Sequence, residues 1–301
     1  MASDDPTYPS GTNTVTIYKI YGPALTAQIT NNLTSTAATQ VNPPGAVQPG
    51  TSVLIKTNDH RVLDAAWFKG KLWFSFNDSC VPAHDNTARS CAHLFWYNTA
   101  STTTNEIEIS NANTYYFFPA LTLDNAGGMD VIFGYSSSTA YPGLYVTGQA
   151  TFDQPNSVEP LVLLKTGSQD DLSCRYGDYF GAAIDPSQPL NAWVAGEYHH
   201  LSNIVFGDVC TSPQSPPAWS TWIASVSLWC QTPTSPGDWT ISSSCTMGSN
   251  FNATGDVFVA NNSVLTIPNG ITLGVNFASH KLFVNSGSGV LIQPGGKLTQ
   301  D

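Results

Sequence analysis

A unit that recurs about every sixty residues narrows the possible folds further than any other feature of the chain. It consists of a strand-like run of small residues, a tight turn, and a second run ending in aromatics. The first copy is Arg61-Val-Leu-Asp64-Ala-Ala-Trp67-Phe-Lys-Gly70-Lys-Leu-Trp73-Phe-Ser-Phe76; the second runs from Tyr116 to Tyr135 and the third from Arg175 to Tyr198. The turns, Lys69-Gly70, Asp124-Asn-Ala-Gly-Gly128 and Asp185-Pro-Ser-Gln-Pro-Leu-Asn191, have hairpin chemistry. Glycine supplies positive φ there, and Asp or Asn caps its own turn. Ala65, Ala66, Ala120, Gly181, Ala182 and Ala183 suit innermost strands, where blades converge and space is tight. Helical periodicity is nearly absent, so the chain is expected to be all-β.

Outer strands follow each copy. Leu94–Tyr97 and Glu106–Ile109 complete the first blade, Gly143–Thr147 and Pro160–Leu164 the second, and Trp219–Val226 with Asp238–Ile241 the third. Upstream, Thr14–Tyr18 and Ser52–Ile55 have the pattern of outer strands whose inner strands are missing. Residues 1–245 are therefore expected to form a β-propeller of about three and a half blades, incomplete as a ring of the usual four to eight. An open edge of that kind favours self-association, or a missing portion of the propeller. Over 246–301, short strands at near-equal spacing, each followed by Gly, Asn or Pro, predict a small β-solenoid-like module. A β-sandwich is the alternative for both regions.

Lys and Arg total 10 against 21 Asp and Glu, a formal charge of −11. No basic footprint exists for nucleic acid, and anionic membranes are disfavoured. No stretch approaches the roughly 20 apolar residues of a membrane span. Met1-Ala-Ser-Asp-Asp5 has neither the basic nor the apolar run of a secretory leader, and is read as the start of a fragment. Six cysteines allow fifteen pairings; proximity and loop context favour Cys80–Cys91, Cys174–Cys210 and Cys230–Cys245. Sequons fall at Asn32, Asn77, Asn252 and Asn261. Together these favour an oxidising compartment, hence an extracellular or cell-surface location.

Between about 55 and 230 the sequence resembles the secreted sialidase/BNR-like β-propeller proteins of bacteria and archaea. The segments that carry the likeness are Tyr116-Phe-Phe-Pro-Ala-Leu-Thr-Leu-Asp-Asn-Ala-Gly-Gly-Met129, Phe133-Gly-Tyr-Ser-Ser-Ser138, Ala140-Tyr-Pro-Gly143, Arg175-Tyr-Gly-Asp-Tyr179 and Trp193-Val-Ala-Gly-Glu-Tyr198. The resemblance implies the fold and leaves activity open, since propellers host unrelated functions. The Asp-box Ser-x-Asp-x-Gly-x-Thr-Trp is not intact; Ser235-Pro-Gly-Asp-Trp-Thr240 is a scrambled echo. The tail is similar to C-terminal modules of archaeal cell-surface proteins.

The candidate site is a repeated Arg-x-x-Asp, Arg61…Asp64 and Arg175…Asp178, at the entrance to two inner strands. Glu197, Tyr198 and His199 leave the third copy beside it. Guanidinium groups with Tyr198 and His199 suit a carbohydrate or another carboxylate-bearing small ligand. Asp64, Asp178 and Glu197 offer the carboxylates of glycoside hydrolysis. Against this stands an intra-blade Arg–Asp pair that only fixes geometry. Asp170, Asp171, Asp124, Asp130 and Asp185 have the oxygen chemistry of calcium, with solvated turn residues as the plainer account. His199 and His200 point to opposite faces of a strand and do not chelate together. Trp67, Trp73, Phe133 and Trp193 alternate as blade-core residues do. A binding, matrix or structural role is the expectation, with a secreted glycosidase- or lactonase-like hydrolase as the alternative.

Overall fold

The computed structural model describes residues 2–3, 12–22, 28–151, 153–172, 176–177, 180–200, 219–233 and 235–301. Among them there is no helix, hence none long and apolar enough to cross a membrane. The chain is all-β.

Strands β1 (Ala2–Ser3), β2 (Thr12–Tyr21) and β3 (Gln28–Gln40) form an antiparallel sheet of their own. The expected pair of orphan outer strands is thereby corrected. Thr14–Tyr18 lies in a hairpin with β3, and Ser52–Ile55 is no strand, Ile55 making a single bridge to Ala46. Four consecutive strands follow as a meander: β4 (Val62–Phe68), β5 (Lys71–Cys80), β6 (Arg89–Asn98) and β7 (Thr104–Ile109). The next four repeat it: β8 (Thr114–Leu123), β9 (Met129–Ser137), β10 (Gly143–Gln149) and β11 (Val162–Lys165). A third meander has β12 (Gly181–Ile184), β13 (Ala192–His199) and β14 (Trp219–Val226).

Strand alternation explains how these sheets stack. In β5, Trp73 and Ser75 point to one face and Phe74 and Phe76 to the other. Trp73 joins Leu94 and Ile107 against Leu121, Val131 and Phe133 of the second meander. The far face of the second meander, with Ala120, Ile132 and Leu144, meets Val194 and Tyr198 of the third. On the outer side of the first meander, Phe74, Phe76, Phe95 and Tyr97 are covered by Val15 and Ile17 of the N-terminal hairpin. Each large apolar side chain so buried stabilises the fold by about 1.5–3 kcal/mol. Trp73 and Phe133 are core residues as expected, whereas Trp67 and Trp193 are 62% and 47% exposed. Trp67, opposite Leu72, lies on the outer face of the first meander, which the N-terminal hairpin covers only in part, and Trp193 lies on the outer face of the third.

Local chemistry sets the turns. The β4–β5 turn puts Lys69 at φ 45° and Gly70 at φ 89°, the two positive angles of a tight two-residue hairpin. In β8 the pairing with β9 shifts between Phe117 and Ala120, and Phe118 takes φ 54°. The fully buried Asn77 holds this bulge: its Oδ1 accepts from Phe118 N at 2.6 Å, and its Nδ2 donates to Thr57 O at 2.6 Å. The Asn77 sequon is accordingly corrected, because its amide is spent inside the core. Asn252 and Asn261 are exposed.

From Trp239 onward the pairing is parallel. Strands β15 (Trp239–Ile241), β16 (Cys245–Thr246) and β17 (Phe251–Ala253) form a first rung. The second rung is β18 (Val257–Val259), β19 (Val264–Ile267) and β20 (Thr272–Val275); the third is β21 (Leu282–Val284), β22 (Gly289–Ile292) and β23 (Lys297–Gln300). Parallel stacking of successive rungs is a β-solenoid and excludes the sandwich. Its interior is a column of Trp239, Val257, Leu265, Ile267, Leu273 and Val275. Between the last two rungs Val257 opposes Leu282, Val264 opposes Gly289 and Thr272 opposes Lys297, a constant step of 25 residues. Trp239–Ile241, expected in the third blade, is thus the first solenoid strand, and the module begins several residues before 246. Of the expected disulfides, Cys80–Cys91 and Cys230–Cys245 are formed. Cys174 and Cys210 lie outside the described residues.

Candidate functional site

The Arg61–Asp64 pair does not form. Arg61 Nε instead donates to both carboxylate oxygens of Asp59, at 2.8 and 2.9 Å, on an exposed surface. Asp64 accepts from Ala65 N at 2.8 Å and, across to the second meander, from Leu121 N at 3.0 Å. Burial raises its carboxyl above the ordinary range while those two bonds oppose the shift. Asp64 is thereby a tie between β4 and β8, the first strands of the two meanders. Arg175 and Asp178 lie outside the described residues.

Glu197 and His199 do come together. Two positions apart on β13, they share a face, and Glu197 Oε1 lies 3.2 Å from His199 Nε2. Asp171 Oδ1 approaches the same nitrogen at 3.8 Å. Asp171 is placed by reciprocal bonds with Gln48: its N donates to Gln48 Oε1 and its O accepts from Gln48 Nε2, both at 2.6 Å. The other Glu197 oxygen accepts from Gly177 N at 3.0 Å, and Tyr176 Oη donates to Glu197 O at 2.6 Å. Gly177 sits at φ 59°, and a Cβ there would lie 2.8 Å from the Phe180 ring, so this turn requires glycine. The Tyr176 ring packs at 5.3 Å from His199, and its hydroxyl pKa is pushed well up by burial and by the nearby Glu197.

With two carboxylates at Nε2, the proton of a neutral His199 belongs on Nε2, leaving Nδ1 a lone pair. Nδ1 is buried without a partner and the side chain is 1% exposed. The unit is a carboxylate–imidazole dyad whose free nitrogen does not reach solvent. Tyr198 departs from the expected ligand set because it alternates to the other face of β13. There it packs in the core, with Lys165 Nζ 4.9 Å from its ring. His200 also leaves on that side and bonds Ser220 Oγ at 3.1 Å, as strand alternation requires.

No protein-family model matches the chain, and no curated protein matches it. A solved protein of unknown function from Dyadobacter fermentans aligns with a TM-score of 0.34 and 9% identity. The alignment covers 62% of this chain and 54% of that one, so this chain spans about half of that protein's length.

Two clusters escape a reading of the sequence. On the hairpin-covered face of the first meander, His93 bridges Asp78 Oδ2 at 3.2 Å and Glu106 Oε2 at 3.1 Å, and stacks on Phe76 at 4.6 Å. The two carboxylates outweigh the burial of the ring and raise its pKa to about 9. The signal available was the Cys80–Cys91 bridge, which closes the β5–β6 hairpin and brings Asp78 beside His93. The second cluster gathers carboxyl groups where the second meander meets the solenoid. Asp124 accepts from Trp229 Nε1, and Glu159 accepts from Thr246 Oγ1. Asp185, by contrast, caps its own turn through Ser187 and Gln188 and binds Trp193 Nε1 at 3.0 Å.

Proposed function

We propose that this chain is an extracellular or cell-surface protein with a binding, matrix or structural role, in which the stacked meanders are propeller-type blades that associate through their end faces. The observation that carries this proposal is the exposure of large apolar residues at both ends of the stack. Leu63 and Trp67 lie on one end, at 38% and 62% exposure; Trp193 and Ile223 lie on the other, at 47% and 64%. Trp193 is not loose, since Asp185 fixes its indole nitrogen. Ordered apolar surface of this kind marks an interaction site. The facing sides of the meanders cover one another and the N-terminal hairpin covers part of the outer side of the first, and a second copy would bring the apolar residues left exposed at one end against those at the other. Two disulfides among the described residues support an oxidising location.

Mass measurement by light scattering tests the proposal. The wild type is expected above the 32.2 kDa of one chain. Ile223→Asp, which places a charge in the contact without touching the core, is expected to return it to one chain with unchanged melting. A wild type that stays monomeric at high micromolar concentration overturns the assembly reading.

The hydrolase alternative has in its favour the carboxylate–imidazole pairing of Glu197 and His199, and against it the burial of His199 Nδ1. Hydrolysis of glycosides or lactones that disappears in Glu197→Gln would establish it.

A further inference from the structure

One corner of the solenoid is built from short neutral residues in every rung. Between β15 and β16 the corner is Ser242-Ser243-Ser244, and between β18 and β19 it is Ala260-Asn261-Asn262-Ser263. The third rung has Asn285-Ser286-Gly287-Ser288 between β21 and β22. Parallel register stacks these turns on one another, so the corner is a ladder of hydroxyls and amides without charge. Charge gathers at a different corner. There Asp256 N donates to Asp238, and Asp256 accepts from Lys281 N and lies 3.8 Å from His280.

The uncharged corner faces the second meander across a cleft of about 400 Å³. Residues 242–244 and 261–263 form one wall, and Tyr145 of β10 with residues 160–163 at the start of β11 forms the other. The volume falls within the roughly 300–1,000 Å³ of small-molecule sites. A second hollow, of about 180 Å³, borders the same three serines. Among the described residues no Asp, Glu, Lys, Arg or His lines either one.

Two of the lining hydroxyls hold the corner itself. Ser263 Oγ donates to Ile241 O and Ala260 O, and Ser244 Oγ accepts from Val264 N. The side chains of Ser242, Ser243, Asn261 and Asn262 make no such bond among the described residues, and all four are exposed. On the opposite wall Pro160 and Leu163 are exposed and Tyr145 is half-buried. The Tyr145 ring is fixed by Tyr135 at 4.5 Å and edge-on by Tyr116 at 6.1 Å, so this wall is preorganised. An ionic ligand would leave its charge unpaired here. A wholly apolar one would strand the free hydroxyls and amides. A neutral sugar satisfies both walls: its hydroxyls exchange hydrogen bonds with Ser and Asn, and its C–H face lies on Tyr145 and Leu163.

We propose that this cleft binds a neutral glycan, with Ser242, Ser243, Asn261 and Asn262 as its hydrogen-bonding wall and Tyr145 and Leu163 as its apolar one. Two sources share that chemistry: a free polysaccharide, and a chain linked to Asn261, whose sequon opens on the cleft. The site is separate from the apolar ends of the stack and from Glu197 and His199, so it stands or falls independently of both.

The test is calorimetric titration of protein from a bacterial host, free of attached glycan, with cellohexaose, mannohexaose and chitohexaose. At least one of these neutral chains is expected to bind, and the anionic hexagalacturonate is not. Ser243→Trp, which fills the cleft from an exposed position, should weaken binding at least tenfold with unchanged melting; Ser242→Tyr replaces it if that variant does not fold. Ile223→Asp, on the outer face of the third meander, should bind as the wild type does. In protein whose Asn261 carries a chain, loss of hexasaccharide binding makes the linked chain the occupant, and unchanged binding makes it a free one. A wild type that binds none of the three up to millimolar concentration overturns the proposal, as does equal binding of hexagalacturonate or full affinity in Ser243→Trp. Binding of a neutral Thr-Val hexapeptide in place of the sugars would mark strand addition at the edge of β11 and overturns it too.

Discussion

Raising the pH from 6 to 9 should destabilise this protein through one side chain, His93. Its ring is buried between Asp78 and Glu106, with a pKa raised from 6.5 to about 9. The folded state therefore binds more protons than the unfolded state within that interval, and stability falls as pH rises. The stabilisation is fully present below the unfolded pKa near 6.5 and is lost as pH passes through 9. A pKa unit corresponds to about 1.4 kcal/mol, so the shift amounts to roughly 3 kcal/mol. Urea midpoints measured from pH 6 to 9 read it directly. The wild type should lose about 3 kcal/mol across the interval, and His93→Gln, starting lower because two carboxylates lose their cation, should show a much flatter profile. A wild-type profile as flat as that of the variant would refute the bridged imidazolium. So would stability that increases towards pH 9.

Three further outcomes follow from the packing. Phe133→Ala, at a fully buried site between the first two meanders, should cost about 3–5 kcal/mol in chemical denaturation; a loss below about 1 kcal/mol would contradict that placement. Cys80, Cys91, Cys230 and Cys245 should not react with a thiol reagent under denaturing, non-reducing conditions. Opening either bridge, with sequence separations of 11 and 15, should cost about 3 kcal/mol. Asn77 should carry no glycan in peptide maps of protein secreted from a glycosylating host, and Asn77→Ala should cost about 1–3 kcal/mol by stranding the Phe118 amide.

Much of the strand order was legible because alternation and turn chemistry are local. Lys69-Gly70 announces its hairpin, and the paired aromatics of β5 and β6 announce two covered faces. The Arg-x-x-Asp pairing failed for an equally local reason. On extended chain, residues three apart point to opposite sides, whereas Asp59 and Arg61, two apart, point together. Glu197 and His199 obey the same rule and were brought together. The first solenoid rung was missed because a three-residue strand such as Trp239–Ile241 has no periodicity of its own. Its parallel partner, Val257–Val259, is fixed only by tertiary stacking. Asn77 shows the other limit: a sequon says nothing about a bulge in β8, forty residues away in sequence, that needs its amide. The buried, unpartnered Oδ2 of Asp130 likewise depends on which face of β9 meets which loop.

The constant 25-residue step between the last two solenoid rungs has a genetic consequence. When all three strands of a rung are displaced by the same number, the rung is a unit that duplication or deletion can add or remove without disturbing any other register. A gain of 25 residues would lengthen the column by one layer and leave the sheets untouched. An insertion of one or two residues within a strand would instead turn core side chains outward. Selection on this module can therefore act on its length in whole layers, as on a stack of interchangeable spacers.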